Sequence, residues 1–547
     1  MRLDVISISL VSICHAVTSG DDGRIGRRAL NAYAPTTAPC PTASIVRPAT
    51  GPAIGEAQYS AARKPVADAA LARWLKTVNA RFNTSTLPIV GLAGSGGGYR
   101  ALLNEAGIVQ AMDARDSNSS VAGLYQALSY HAALSGGGWF ASSLAAWNWP
   151  TVSYLQRKVY EPNLQQSLLL PRDWEVALAY ARIFADVTAK AAAGYPVTPG
   201  DIYGRLLGWN LFSSPDGGAA LTMSGLTAHT NFTAHKIPYP IITSIGTNAS
   251  SGNCSVQPAV TQYEYTPHEF GSWDKGVNSF VQMAYLGTDL GNGVTGHGNC
   301  TRGFDKLDFV TASTSNIFGF LCNPLYAGRD ALEQLASTLQ NALVEVAGVT
   351  TTELFNEILN PFYGYKHANA VSGDKILTLG DGDLSLQNNP IWPFLQPARN
   401  VSVLLVADTC NENATNSPCD GLSLQNTFKQ AQAQGLSKMP FVPTYSDFVA
   451  QGLGSQARFF GCNQSNSITL IWLPLQNYSS SAAATTSTFA VQVSVADTRT
   501  IIHNGNLVAT QNSDQQWPTC LACAIMGKTG TALPADCGAC FARYCVS

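Results

Sequence analysis

The sequence predicts an α/β protein with a layered core and a cysteine-rich C-terminal tail. Three observations carry this. Short apolar runs alternate with helix-length amphipathic segments along most of the chain. Hydrophobic residues make up 46% of the 547 residues, and charged residues only 12% against the roughly 25% usual for a globular domain. Such a chain has the material for a large core and lacks the polarity of a disordered one. Five cysteines fall in the last stretch, from Cys520 to Cys545. No internal, collagen-like or heptad repeat is visible. A net charge of −3 gives no electrostatic footprint for nucleic acid.

The elements follow in order. Residues 1–20 open with Arg2, continue in a short apolar run from Val5 to Cys14 and end in small residues from Ala16 to Gly20. This is the layout of a secretory signal peptide, too short to span a bilayer. Residues 21–28 end in the pair Arg27-Arg28 and read as a propeptide that leaves Ala29 as the mature start. Residues 29–60, rich in Pro, Thr and Ala, read as an irregular lead-in. Ala61 to Phe82 reads as a helix with Ala70, Leu71, Trp74, Leu75 and Val78 on one face. Leu87 to Leu92 reads as a buried strand, and Arg100 to Met112 as the helix after a glycine turn. Asp173 would cap a helix through about Ala193, and Asp330 another through Val346 with Leu332, Leu335, Leu339 and Leu343 in one stripe. Further strand candidates are Ile241–Ile245, Leu307–Thr311, Ile376–Leu379, Val401–Val406, Ile468–Leu473 and Phe489–Val495.

Ten Asn-x-Ser/Thr sites suit an exported chain: Asn83, Asn118, Asn231, Asn248, Asn253, Asn299, Asn400, Asn413, Asn463 and Asn477. Beyond Cys14, twelve cysteines remain, an even number that reads as disulfides in an oxidising compartment. Cys520-x-x-Cys523 and Cys537-x-x-Cys540 also have zinc-ribbon spacing. The nearby Cys545 and the export signal favour disulfides. No long apolar run follows the signal, and the chain ends without the hydrophobic tail of a GPI signal. The expectation is a secreted glycoprotein without a transmembrane segment.

Three stretches could carry chemistry. In Gly91-Leu92-Ala93-Gly94-Ser95-Gly96-Gly97-Gly98-Tyr99-Arg100, a strand runs into a glycine turn and then a helix. Such a turn aims backbone N–H groups at an anion or oxyanion. It is not a P-loop, because no Gly-Lys-Ser/Thr follows. Arg100 sits at a helix start, where the dipole disfavours a cation, which suggests a task such as gripping a phosphate. The second stretch, Ala133-Leu134-Ser135-Gly136-Gly137, approximates a Gly-x-Ser-x-Gly nucleophile elbow. Ser95 sits in a similar frame, Ala93 to Gly97, and the pattern alone does not choose between Ser95 and Ser135. In the third, an apolar strand ends in Gly380-Asp381-Gly382-Asp383, followed by Gln387-Asn388-Asn389-Pro390. An Asp at a strand end can serve as general base beside a serine. The residues also fit the chain order of a Ser-His-Asp hydrolase, with Ser135, Asp408 and His503. His131, four residues before Ser135, reads as packing. A catalytically inert wall or binding glycoprotein on a hydrolase-like scaffold is the remaining reading.

Together and in this order, the three stretches resemble the motifs of the fungal phospholipase B (lysophospholipase) family, related to the catalytic domain of cytosolic phospholipase A2 and more distantly to patatin. Ser95 to Ala101 matches Ser-Gly-Gly-Gly-Tyr-Arg-Ala; Ala133 to Trp139 resembles Gly-Leu-Ser-Gly-Gly-Ser-Trp; Asp381 to Asp383 with Gln387 to Pro390 resembles Asp-Gly-Gly with Gln-Asn-x-Pro. Tyr33-Ala34-Pro35 with Cys40-Pro41, Glu269 to Trp273, Tyr285 to Thr288 and Cys537 to Cys545 extend the likeness over nearly the whole mature chain. The resemblance implies a mixed central sheet between helical layers, a catalytic domain over 29–514, and 515–547 as a segment of the same domain. It makes Ser135 the nucleophile and Asp381 its partner in a Ser–Asp dyad. Gly97 and Gly98 become oxyanion donors, and Arg100 a ligand of the substrate phosphate. The implied reaction releases fatty acid from phospholipids and lysophospholipids at micelle or membrane surfaces, through an acyl-enzyme that another lysolipid could intercept. No metal or cofactor is implied, and no calcium loop is visible. Two positions depart from the family: Ala133 replaces a glycine, and Asp383 replaces the third-motif glycine, placing a like charge beside Asp381 that would raise one pKa.

Overall fold

The computed structural model describes residues 32–169, 176–213, 216–247, 258–296, 298–322, 330–410, 419–479 and 482–546. The expected signal peptide and propeptide, with Asp173, Asn248, Asn253, Cys254 and Asn413, lie outside them.

Along the chain the strands are β1 (Thr36–Pro39), β2 (Val46–Pro48), β3 (Val90–Gly94), β4 (Tyr130–Ala133), β5 (Tyr239–Thr247), β6 (Gln262–Tyr265), β7 (Glu269–Ser272), β8 (Ser279–Gln282), β9 (Leu290–Gly291), β10 (Val294–Thr295), β11 (Asn299–Arg302), β12 (Asn356–Leu359), β13 (Ile376–Gly380), β14 (Val403–Asp408), β15 (Arg458–Phe460) and β16 (Thr469–Pro474). The longer helices are α1 (Ile54–Val78), α2 (Gly98–Met112), α3 (Ser135–Ala146), α4 (Val176–Ala192), α5 (Pro199–Leu211), α6 (Leu307–Thr314), α7 (Asp330–Ala347), α8 (Leu422–Gln434), α9 (Tyr445–Ala450), α10 (Val495–Ala509), α11 (Trp517–Met526) and α12 (Cys537–Tyr544). The fold is mixed α/β with a mixed central sheet, as the sequence led us to expect.

The chain divides into two compact units. The first comprises residues up to Ala49, Gln166–Leu226 and Ser244–Leu384; the second comprises Thr50–Gln165, Thr227–Thr243 and the chain from Ser385 onward. In the second unit, β16, β14, β3, β4 and the start of β5 run parallel, with β15 antiparallel at the edge. β3 and β4 are buried along their whole length, which is why they read as apolar runs without alternation. Parallel neighbours need a crossover, and α2 supplies it between β3 and β4. In the first unit the pairing is antiparallel: β13 lies between β12 and the end of β5, and β6, β7, β8 and β2 form a meander.

Two strand expectations are corrected. Leu307–Thr311 belongs to helix α6, all of whose residues are buried. A helix buried on every side shows no 3.6-residue stripe, so its β-branched residues read as strand. Phe489–Val495 is no strand but a loop leading into α10; Ser494 accepts the Asp497 N–H at 3.0 Å and caps that helix.

Cys40–Cys300 joins the paired strands β1 and β11 in the first unit. In the second unit the pairs are Cys410–Cys419, Cys462–Cys545, Cys520–Cys540 and Cys523–Cys537. The zinc-ribbon spacing is therefore used for two bonds that staple α11 to α12. Among the described residues no group of His, Cys, Asp or Glu is arranged to hold a metal ion, and no helix is long and apolar enough to cross a membrane.

Candidate active site

The second unit brings two of the three stretches together. β3 ends at Gly94, and the chain turns through Ser95, Gly96 and Gly97 into α2. Gly97 has φ 134° and Gly98 has φ 58°, values that strain any residue with a Cβ. β4 ends at Ala133, and α3 begins at Ser135 itself. Ser135 has φ 49°, so a non-glycine residue occupies the left-handed region at a strand-to-helix turn. Such a conformation costs about 1–3 kcal/mol and is the one a nucleophile elbow requires of its residue at the head of a helix.

The elbow and the glycine turn touch. A Cβ on Gly136 would lie 2.7 Å from the Gly98 nitrogen and strike the Gly98 carbonyl oxygen; one on Gly96 would lie 2.9 Å from the Ser135 Cβ. The N-termini of α2 and α3 thus meet beside Ser135, and both dipoles present their positive ends there. A developing oxyanion fits such a place.

Ser95, the rival serine, has its hydroxyl committed elsewhere. Its Oγ accepts the Thr409 N–H at 2.8 Å and lies 2.9 Å from the Thr409 Oγ1. Thr409 in turn donates to the Gly96 carbonyl at 2.6 Å. Asn388 holds the same turn from another side, accepting the Gly96 N–H on its Oδ1 at 2.9 Å. The sequence names Asn388 only as part of the third motif, with no role of its own, and does not name Thr409. Asn388 belongs to the third motif, and its place there was the available signal; Thr409 follows β14 and carried none.

Arg100 is 3% exposed, and its guanidinium donates to the Thr486 and Cys410 carbonyls at 2.8 and 3.1 Å and to the Thr488 hydroxyl at 3.1 Å. A Cβ on Gly98 would strike the Thr488 carbonyl oxygen. The segment 486–488 therefore runs directly over the glycine turn.

Asp381 lies in the first unit, immediately after β13, and is 2% exposed. Its Oδ1 accepts the Asp383 N–H at 2.9 Å. The residue that departs from the family motif thus supports Asp381 through its backbone.

The Ser-His-Asp arrangement is not assembled. Asp408 is buried, and its Oδ2 accepts from Asn389 at 2.9 Å and Trp472 Nε1 at 2.8 Å, while Oδ1 accepts the Cys410 N–H. Burial raises its pKa, and these bonds oppose the rise. His503 lies on the exposed face of α10, whereas Ser135 and Asp408 are both buried.

Residues 90–547 match the model of a lysophospholipase catalytic domain. The chain is 32% identical to a probable lysophospholipase 5 of Schizosaccharomyces pombe, covering 94% of this chain and 87% of that protein. It is 33% identical to lysophospholipase 2 of Aspergillus fumigatus, covering 94% and 92%. Among solved structures, the human GIVD cytosolic phospholipase A2 superposes with a TM-score of 0.68 at 19% identity, over 90% of this chain and 69% of that one.

Proposed function

Since the chain belongs to the lysophospholipase family and is a carboxylic ester hydrolase, we propose that it cleaves the fatty acyl esters of phospholipids and lysophospholipids through a Ser135–Asp381 dyad. The observation that carries the reading is the left-handed Ser135 at the head of α3, with the Gly98 backbone packed against its neighbour Gly136. Asp381 takes the Ser135 proton as the hydroxyl oxygen attacks the ester carbonyl. The Gly97 and Gly98 N–H groups hold the oxyanion, a contribution of about 3 kcal/mol per donor. Collapse breaks the ester bond, Asp381 returns the proton to the departing glycerol oxygen, and the acyl group stays on Ser135. Water, deprotonated by Asp381, then releases the fatty acid and restores the serine. A second lysolipid in place of water gives transacylation. Arg100 is assigned to the substrate phosphate, which would replace Thr488 Oγ1 as acceptor of one guanidinium N–H.

Export is part of the proposal. Asn83, Asn118, Asn299, Asn400, Asn463 and Asn477 are exposed, as glycan acceptors must be, and the five disulfides among the described residues need an oxidising compartment.

The test is Ser135→Ala assayed on a lysophospholipid, with Asp381→Asn alongside. Both are expected to lose at least about a thousandfold in kcat while keeping the parent's circular dichroism. A fluorophosphonate is expected to label the peptide containing Ser135. Labelling at Ser95, or an active Ser135→Ala, would overturn the assignment.

A further inference from the structure

Glu105 and His131 are buried titratable residues with no part in the steps above. Glu105 lies on α2 and is 1% exposed; His131 lies on β4 and is 3% exposed. The Glu105 Oε1 and the His131 Nε2 are 2.6 Å apart. The other carboxylate oxygen, Oε2, has no hydrogen-bond partner among the described residues. It faces two glycines instead. A Cβ on Gly137 would lie 2.7 Å from Oε2, and one on Gly94 would strike the carboxylate outright.

Each of these neighbours has a defined place. Gly94 ends β3 and starts the glycine turn; α2, which carries Glu105, begins where that turn ends. His131 lies on β4, which leads to Ser135; Gly137 is in the first turn of the helix that Ser135 opens. The four segments that flank the nucleophile and its cradle therefore meet at one carboxylate. The Gly137 N–H also donates to the Ser95 carbonyl at 3.0 Å, binding elbow to turn at the same level. Tyr125 and Phe140 close the histidine ring in, with centroids 6.3 Å away in each case.

A buried carboxylate is costly to keep, and an apolar side chain of the same volume would pack here without that cost. Burial pushes the Glu105 pKa up, and the hydrogen bond and charge of His131 oppose the rise. What the pair supplies is direction. A hydrogen bond between α2 and β4 fixes the register of the two segments to a fraction of an ångström, where apolar packing leaves it adjustable. We propose that the Glu105–His131 pair is a positioning device that sets the Ser135 hydroxyl against the Gly97–Gly98 amides, which rests on the reading of Ser135 as nucleophile.

The experiment compares Glu105→Ala, His131→Ala, the double variant and Glu105→Gln, with turnover expressed per site titrated by a fluorophosphonate. Counting only competent sites removes any loss due to misfolded protein. A displacement near 1 Å costs roughly a hundredfold in rate, so the alanine variants are expected to lose about tenfold to a hundredfold in kcat with KM little changed. Glu105→Gln keeps the volume and the hydrogen bond and is expected to stay within about threefold of the parent. The double variant should be no slower than the slower single one, because both remove the same bond. Parental kcat per titrated site in both alanine variants, or an effect confined to KM, would overturn the proposal. If an alanine variant does not fold, Glu105→Gln is compared with Glu105→Met, which fills the space without the bond. Equal rates of Ser135 labelling in those two would equally overturn it. Ser135→Ala run in parallel separates the failures: if it stays active, the nucleophile assignment falls, whereas if it is dead and the alanine variants are unimpaired, only the positioning role falls.

Discussion

Gly136 has no side chain at a point where a side chain would force the elbow away from the glycine turn. A methyl group there would strike the Gly98 carbonyl and crowd the Gly98 nitrogen, the atom assigned to oxyanion binding. Gly136→Ala is therefore expected to reduce kcat by about a hundredfold or more, with thermal stability falling less steeply, since the displacement falls on one turn. Steady-state kinetics beside a melting curve would show it; proportional loss of both would mean that the glycine serves folding alone. Ser95→Ala should behave oppositely. It removes the acceptor of the Thr409 N–H and costs about 1–3 kcal/mol, measured by urea unfolding, while fluorophosphonate labelling at Ser135 persists. These two residues also mark what the sequence could and could not tell. Both serines stand before glycines after an apolar run, so local pattern left them equivalent. What separates them is the positive φ at Ser135 and the Thr409 hydroxyl beside Ser95, which arrives from more than three hundred positions away. Only the resemblance to known motifs chose between them.

At the scale of elements, α2 depends on how closely α10 can approach it. A Cβ on Gly107 would strike the Ile502 carbonyl and lie 2.8 Å from the Gly505 Cα, and one on Gly505 would strike the Asn104 carbonyl. The two backbones touch at these glycines, and Asn506 on α10 adds a bond from its Nδ2 to the Gln110 Oε1 on α2 at 2.8 Å. Gly107→Ala is expected to destabilise the protein by about 2 kcal/mol or more, although alanine is the better helix former, because the helices must separate. A rise in the urea midpoint would refute this packing. This contact was hidden in the sequence for a definite reason. The small, polar His503-Asn504-Gly505 run resembles a turn; the spacing Ser494-x-x-Asp497, a helix cap, is the sequence signal that places the helix. By contrast β3, β13, β14 and β16 were legible, since strands buried on both faces appear as bounded apolar runs. The helix α1 was found but begins at Ile54 rather than Ala61, its first turns lacking a cap side chain or an apolar stripe.

At the scale of the molecule, a chain with few charges has buried several of them, and this sets a pH dependence of stability. Burial first, with the charge of Asp308 adding and Arg205 opposing, raises Asp186 to about 6. Burial, with Glu264 adding and the Gln262 N–H opposing, raises Asp274 to about 7. Glu357 is raised to about 7 by burial and by the carboxylates of Glu353 and Asp201. All three lie in the first unit. Each holds its proton more tightly folded than unfolded, so from about pH 4 to about pH 7 the unfolded chain binds fewer protons than the native one. Their contribution is complete below the unfolded pKa and is lost as the pH rises through the folded one. Stability is therefore expected to fall between about pH 5 and about pH 7.5. Asp274 is the cleanest place to test this, being buried and, among the described residues, without a cation in hydrogen-bond range of its carboxylate. Asp274→Asn cannot ionise and can still accept the Gln262 N–H. Its unfolding free energy should lie close to the parent's near pH 4 and exceed it by about 4 kcal/mol near pH 8, read from urea unfolding at a series of pH values. If the two curves stay parallel across that range, Asp274 ionises normally in the fold and the acid-side maximum must come from elsewhere.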